Sequence, residues 1–97
     1  MVRHVVLFQF AEGTTDAQID DYERSLRAYV AGLDGVLSYE PARDAGINPG
    51  TYSYSIVATF TDDDAFRAYF DGDEHKAIQR NTADMMVAKA SSQSRFG

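Results

Sequence analysis

Two side chains in this sequence can exchange a proton near neutral pH, His4 and His75, the chain's only histidines. His75 stands in "AYFDGDEHKAIQ", residues 68–79, six residues after Tyr69. On one continuous helix that separation would turn the two side chains roughly 120° apart. Asp71-Gly72 interrupts the helix, so the two rings are free to converge. With Asp73 capping a new helix, His75 falls in its first turn, where the positive helix end disfavours the imidazolium. A neutral imidazole beside a phenol is a workable base-and-acid pair for enolate chemistry. A histidine in a solvated turn is the other reading of the same spacing.

His4 lies in "VRHVVLFQF", where it alternates with Val6, Phe8 and Phe10. It therefore points into whichever layer those residues fill. There it is either a core histidine hydrogen-bonded to a tyrosine or a polar group at one end of an apolar pocket. Other chemistries lack their signatures. The chain has no cysteine, and its two histidines stand far apart, so no metal site is expected. "DDD" at 62–64 reads as helix capping, because a calcium loop needs spaced oxygen ligands and a glycine. No glycine-rich phosphate loop and no nucleophile elbow occurs, so no cofactor is expected.

The elements that must position these groups follow from periodicity. Residues 2–10 read as a strand, apolar on both faces and so covered on both sides. Thr15 or Asp16 caps a helix, with Gln18 placed to close a capping box on Thr15. Ile19, Tyr22, Leu26, Tyr29, Val30 and Leu33 follow helical spacing. "VLSYEPARD" is a second strand, at an edge or bulged at Pro41, which has no amide to donate. Asn48-Pro49-Gly50 marks a turn. "YSYSIVATF", residues 52–60, is a third strand with Tyr52, Tyr54, Ile56, Ala58 and Phe60 on one side. Thr61 is the expected N-cap of a second helix. After Gly72, a third helix is expected from Glu74 to about Met86, and "VAKASSQSRF" is the weakest strand.

The order β-α-β-β-α-(α)-β predicts one α+β, ferredoxin-like βαββαβ domain over residues 1–97, with a four-stranded antiparallel sheet. Alternation and helical spacing aim His4, Phe8, Tyr22, Tyr54, Tyr69 and His75 into one layer between sheet and helices. Val5, Leu7 and Val57 make the opposite sheet face apolar, and no helix remains to cover it. A homodimer packed sheet to sheet is expected. The net charge of −6 argues against nucleic acid or an anionic membrane as partner. No apolar stretch nears the roughly 20 residues of a membrane span, and the first residues lack a signal-peptide cleavage site; a cytoplasmic protein is expected.

"HVVLFQF", "EGTTDAQID", "GVLSYE" and "YSIVATFTDDDAFRAYF…EH" together resemble the stress-responsive dimeric α/β-barrel family over essentially the whole chain. The family is ferredoxin-like and joins two sheets into a barrel across a dimer. Many members are associated with stress and have no known activity. Others are enzymes, among them olivetolic acid cyclase, which closes a linear polyketide by an aldol reaction, and a plant hydroxynitrile lyase. The resemblance to the cyclase implies His75 and Tyr69 as the catalytic pair and His4 as a pocket residue. Its helix tyrosine falls on Leu26 and its third-strand histidine on Tyr54, which implies a reshaped pocket. The turn also departs from the family's frequent H-P-x-H, since Gly72 and Asp73 stand in its first two positions. The resulting expectation is a small cofactor-free enzyme, cyclase-like, acting on a small oxygenated molecule such as a polyketide. The alternatives are a non-catalytic stress-responsive or ligand-binding dimer, and a monooxygenase of a related barrel family.

Overall fold

A computed structural model describes residues 1–97. Its elements are β1 (Val2–Phe10), α1 (Asp16–Ala31), β2 (Val36–Arg43), β3 (Tyr54–Phe60), α2 (Asp63–Phe70), α3 (Asp73–Asn81) and β4 (Met86–Arg95). The four strands form one antiparallel sheet in the order β2-β3-β1-β4. This is the expected ferredoxin-like βαββαβ arrangement. β1 is interior, as its two apolar faces require. β2 is an edge strand, so Pro41 leaves no ladder partner unmet; the register shift falls at Val36/Ser38 and spares the proline.

α1 begins on the capping box. The Thr15 hydroxyl accepts from the Gln18 amide N–H, and the Gln18 side chain accepts from the Thr15 N–H. Three helix and strand limits differ from the sequence reading. Asp62, rather than Thr61, caps α2, because its carboxylate accepts from the Ala65 N–H. α3 starts at Asp73 behind Gly72 and stops at Asn81, well short of Met86. There the Thr82 hydroxyl bonds back to the Ile78 carbonyl, and a single 3₁₀ turn, Ala83–Met85, leads into β4. β3 begins at Tyr54, and Tyr52 lies exposed in the preceding loop.

The core is one layer between the sheet and the helices. Val2, His4, Val6, Phe8 and Phe10 of β1 and Tyr54, Ile56, Ala58 and Phe60 of β3 are all buried. Tyr22, Leu26 and Tyr29 close it from α1, and Phe66 and Tyr69 from α2. Pairing aligns Tyr39, Ala58, His4 and Gln93 in one row across all four strands. Ala58 is the small member of that row and is fully buried, packed in the same cluster as Phe66 and Tyr69. Ala58→Leu should overfill this layer and destabilise the protein by about 1–3 kcal/mol in urea denaturation. An unchanged urea midpoint would mean that space above Ala58 is not what seats Tyr69.

Candidate active site

Between the sheet and the α2–α3 corner lies a cavity of about 370 Å³, within the range of small-molecule sites. His4, Val6, Phe8, Tyr22, Leu26 and Ile56 line it from the sheet and α1. Tyr69, Phe70, His75, Ile78 and Gln79 line it from the helices, with Met86, Lys89 and Ser91 at the β4 side. A larger hollow of about 670 Å³ lies between the chain termini and Asp62–Asp64, but it is open to solvent and contains no histidine or tyrosine.

Six of the seven sequence-predicted site residues therefore meet: His4, Phe8, Tyr22, Leu26, Tyr69 and His75. Tyr54 does not line the cavity. It is buried on the expected side of β3, but its hydroxyl turns away to donate to the Glu23 carboxylate on α1. Phe10 and Tyr22 pack against its ring.

The turn at Asp71-Gly72 does bring Tyr69 and His75 together, with ring centroids 4.6 Å apart. His75 is buried, not solvated, and its ring stacks on Tyr29 at 5.9 Å and 12°. Its Nδ1–H donates to the Phe70 carbonyl at 3.0 Å, which places the proton on Nδ1 and leaves Nε2 as an acceptor. No buried side-chain nitrogen or oxygen in the chain lacks a partner. An unpartnered Nε2 in a buried residue must therefore keep its opening to the cavity that His75 lines.

His4 bonds to Gln93, not to the tyrosine expected for a core histidine. The Gln93 amide donates to His4 Nδ1 at 2.9 Å, so the ring carries its proton on Nε2. One imidazole thus offers the cavity an acceptor and the other a donor. Burial, first, and then the charges of His75 and Lys89 lower the His4 pKa from 6.5 to about 4. Burial likewise lowers that of His75, against the Phe70 hydrogen bond, which raises it. Burial is thus the leading cause of the neutrality that a helix start was expected to supply.

Two further tyrosines hold this site: Tyr29, which helical spacing placed only on the packing face of α1, and Tyr39, which the sequence reading did not single out. The Tyr39 and Tyr69 hydroxyls bond to each other at 2.9 Å. Burial pushes the Tyr69 phenol up to about 12, and the Tyr39 hydrogen bond works against that shift. The Tyr29 hydroxyl donates to the Tyr69 carbonyl at 2.8 Å and lies within 3.2 Å of the Ala68 carbonyl. A Cβ at position 72 would run into that hydroxyl, so the turn requires Gly72. Tyr39 could have been found from register, because it lies opposite Ala58 on the inward side. Gln93 and Lys89 depend on the long-range pairing of β4 and had no local signal.

The stress responsive A/B barrel domain profile matches residues 2–91. The chain belongs to the stress responsive A/B barrel domain family. No curated protein sequence matches it. Among solved structures it is similar to a dimeric ferredoxin-like protein of unknown function from Thermobifida fusca, at 27% identity and a TM-score of 0.87. That match covers 98% of this chain and 90% of the other. The hydroxynitrile lyase of Passiflora edulis superposes with a TM-score of 0.84 at 13% identity, covering 99% of this chain and 93% of the enzyme. A mutant form of SnoaB, a cofactor-independent oxygenase from Streptomyces nogalater, gives 0.79 at 18%, covering 98% and 91%. At these identities the two enzymes share the fold. The same scaffold thus occurs in enzymes and in a protein without assigned function.

The two neutral imidazoles make a prediction for stability. A histidine whose folded pKa lies below its unfolded value binds a proton more readily when unfolded. Stability is then fully present above the ordinary value of 6.5 and is lost as pH falls toward about 4. Urea midpoints should decline over that window, and His4→Gln should flatten the decline. Equal slopes in the two proteins would show that His4 is not held neutral by the fold.

Proposed function

We propose that this cavity binds an oxygenated, partly apolar small molecule and removes a proton next to its carbonyl group without a cofactor. The observation that carries the reading is the acceptor Nε2 of His75, fixed by its neighbour's bond to Phe70 and facing a cavity that Tyr69 also lines. In this reading His75 Nε2 takes the proton from carbon, and the electron pair moves onto the carbonyl oxygen as an enolate. The Tyr69 hydroxyl and the His4 Nε2–H are the donors that stabilise that oxygen. Tyr39, donating to the Tyr69 oxygen, positions the phenol and leaves the Tyr69 proton free for the enolate. Aldol-type cyclisation of a polyketide and cleavage by a lyase both begin or end on such a carbanion equivalent. A second reading, a ligand-binding dimer without catalysis, is favoured by one feature: Tyr69 and His75 share no hydrogen bond.

The working unit we propose is a homodimer. Val5 and Val57 pair across β1 and β3 on the outer sheet face, and Leu7 beside them is 37% exposed. Only 17 of 97 residues are buried in the single chain, so a covered outer face would add substantially to its core. The Thermobifida fusca relative is described as dimeric. Light scattering after size exclusion should give twice the chain mass of 10.8 kDa. A stable monomer at micromolar concentration would overturn the dimer.

For a substrate turned over by the protein, His75→Ala should lower kcat by about 100- to 10,000-fold with the fold intact. Tyr69→Phe should lower kcat and spare binding, whereas His4→Ala should weaken binding more than it slows the chemistry. The pH profile of kcat/KM should be level at neutral pH and fall only on acidification, through a pKa below 6.5. It should show no alkaline limb at the ordinary phenol value of 10.0, because Tyr69 is held near 12. Full turnover by His75→Ala would eliminate His75 as the base.

A further inference from the structure

One charged side chain, the exposed Lys89, lines the cavity at its rim, and no side chain of the chain pairs with it. Lys89 lines the cavity from β4, directly opposite Phe8 in the β1–β4 register. Ser91, two residues on, shares that inward side and also lines the cavity. No aspartate or glutamate is among the lining residues. All of the chain's ion pairs are made by arginines, at Arg24, Arg27, Arg43 and Arg95. Lys89 is exposed on the edge strand β4, so its ammonium stands at the rim of the cavity, within reach of solvent. Its field reaches the far wall, where it disfavours protonation of both His4 and His75.

We propose that Lys89 is the anion-recognition residue of this cavity and that the ligand is a carboxylic acid with an apolar body. The inference rests on the binding site argued above and narrows its substrate class. Val6, Phe8, Leu26 and Ile56 supply the apolar wall for the body of such a molecule. A carboxylate at Lys89 pairs with the only lysine, arginine, aspartate or glutamate among the lining residues, its head at the rim and its apolar body against the wall. The two imidazoles, being neutral, neither compete for that carboxylate as cations nor repel Lys89. A neutral ligand of the same shape would leave the ammonium without a partner. Binding by charge-assisted hydrogen bonds to an anion also fixes orientation, leaving the opposite end of the molecule toward the His75 and Tyr69 side.

Naphthoate and naphthamide differ only in this charge, so they serve as the probe pair, titrated into the full chain by calorimetry. Naphthoate should bind about tenfold more tightly than naphthamide. Lys89→Met should remove that preference by weakening naphthoate alone, and Lys89→Arg should retain it. Lys76→Met removes the same charge from a residue outside the cavity and should leave both affinities unchanged. Equal binding of the two probes by the native protein would overturn the anion assignment while leaving the cavity reading in place. So would equal losses for both in Lys89→Met, or a naphthoate loss in Lys76→Met as large as in Lys89→Met. Failure of both probes to bind, with His4 and His75 resonances unmoved in NMR spectra, would overturn the cavity reading and this one with it.

Discussion

The site depends on how the end of α2 satisfies its last carbonyls. A helix terminus leaves its final C=O groups without partners, and a buried unpaired carbonyl costs roughly 1–3 kcal/mol. Here the Tyr29 hydroxyl serves Tyr69 and Ala68, and the His75 ring serves Phe70. Both side chains come from other helices, so these bonds fasten α1 and α3 to the corner as well as ending α2. Gly72 is required because the Tyr29 hydroxyl occupies the position a Cβ would need. The same bond that pins the corner decides which nitrogen of His75 remains available. Structure and candidate chemistry therefore share one interaction.

That arrangement explains why two histidines can be buried without charge partners. Each ring spends one nitrogen on a fixed neighbour, Phe70 or Gln93, and neither faces a carboxylate that would favour the imidazolium. Burial then prevails and the neutral forms persist. Lys89 reinforces the outcome from β4. The acidic excess of the chain lies elsewhere: Asp16, Asp20, Asp21 and Asp63 are tied to surface arginines, and Glu23 to Tyr54.

Much of this was legible because period-2 alternation is strict in β1 and β3, where every inward residue is buried. The helix break was equally readable, since Asp-Gly followed by an acidic first turn is local chemistry. What local pattern cannot convey is depth and partner choice. Alternation correctly turned Tyr54 inward, yet the residue sits beneath the cavity because α1 presents Glu23 to its hydroxyl. The end of α3 was misjudged because Ala83, Met85 and Met86 continue an apolar period, whereas Thr82 closes the helix through a side-chain bond to Ile78. β4, rich in alanine and serine, carries almost no strand signal of its own. Its place beside β1 is set by the ladder, so the residues it delivers, Lys89, Ser91 and Gln93, were invisible beforehand.

The division of polar groups across the inner layer separates structural from available chemistry. Tyr29, Tyr39, Tyr54 and Gln93 each make a protein hydrogen bond, and each such bond fixes a wall or a neighbouring ring. Tyr22, the Nε2 atoms of His4 and His75, and the Lys89 ammonium make none, although the first three belong to buried residues. A histidine kept only for packing would be expected to engage both nitrogens or give way to an apolar residue, because an unmet polar atom in the interior is costly. Here the unmet atoms are not scattered. Tyr22, His4, His75 and Lys89 all line the same cavity, and the two imidazoles are held there by the Phe70 carbonyl and Gln93. Three unmet polar atoms of buried residues and one exposed ammonium thus gather at one space, which is the arrangement the proposed ligand binding requires.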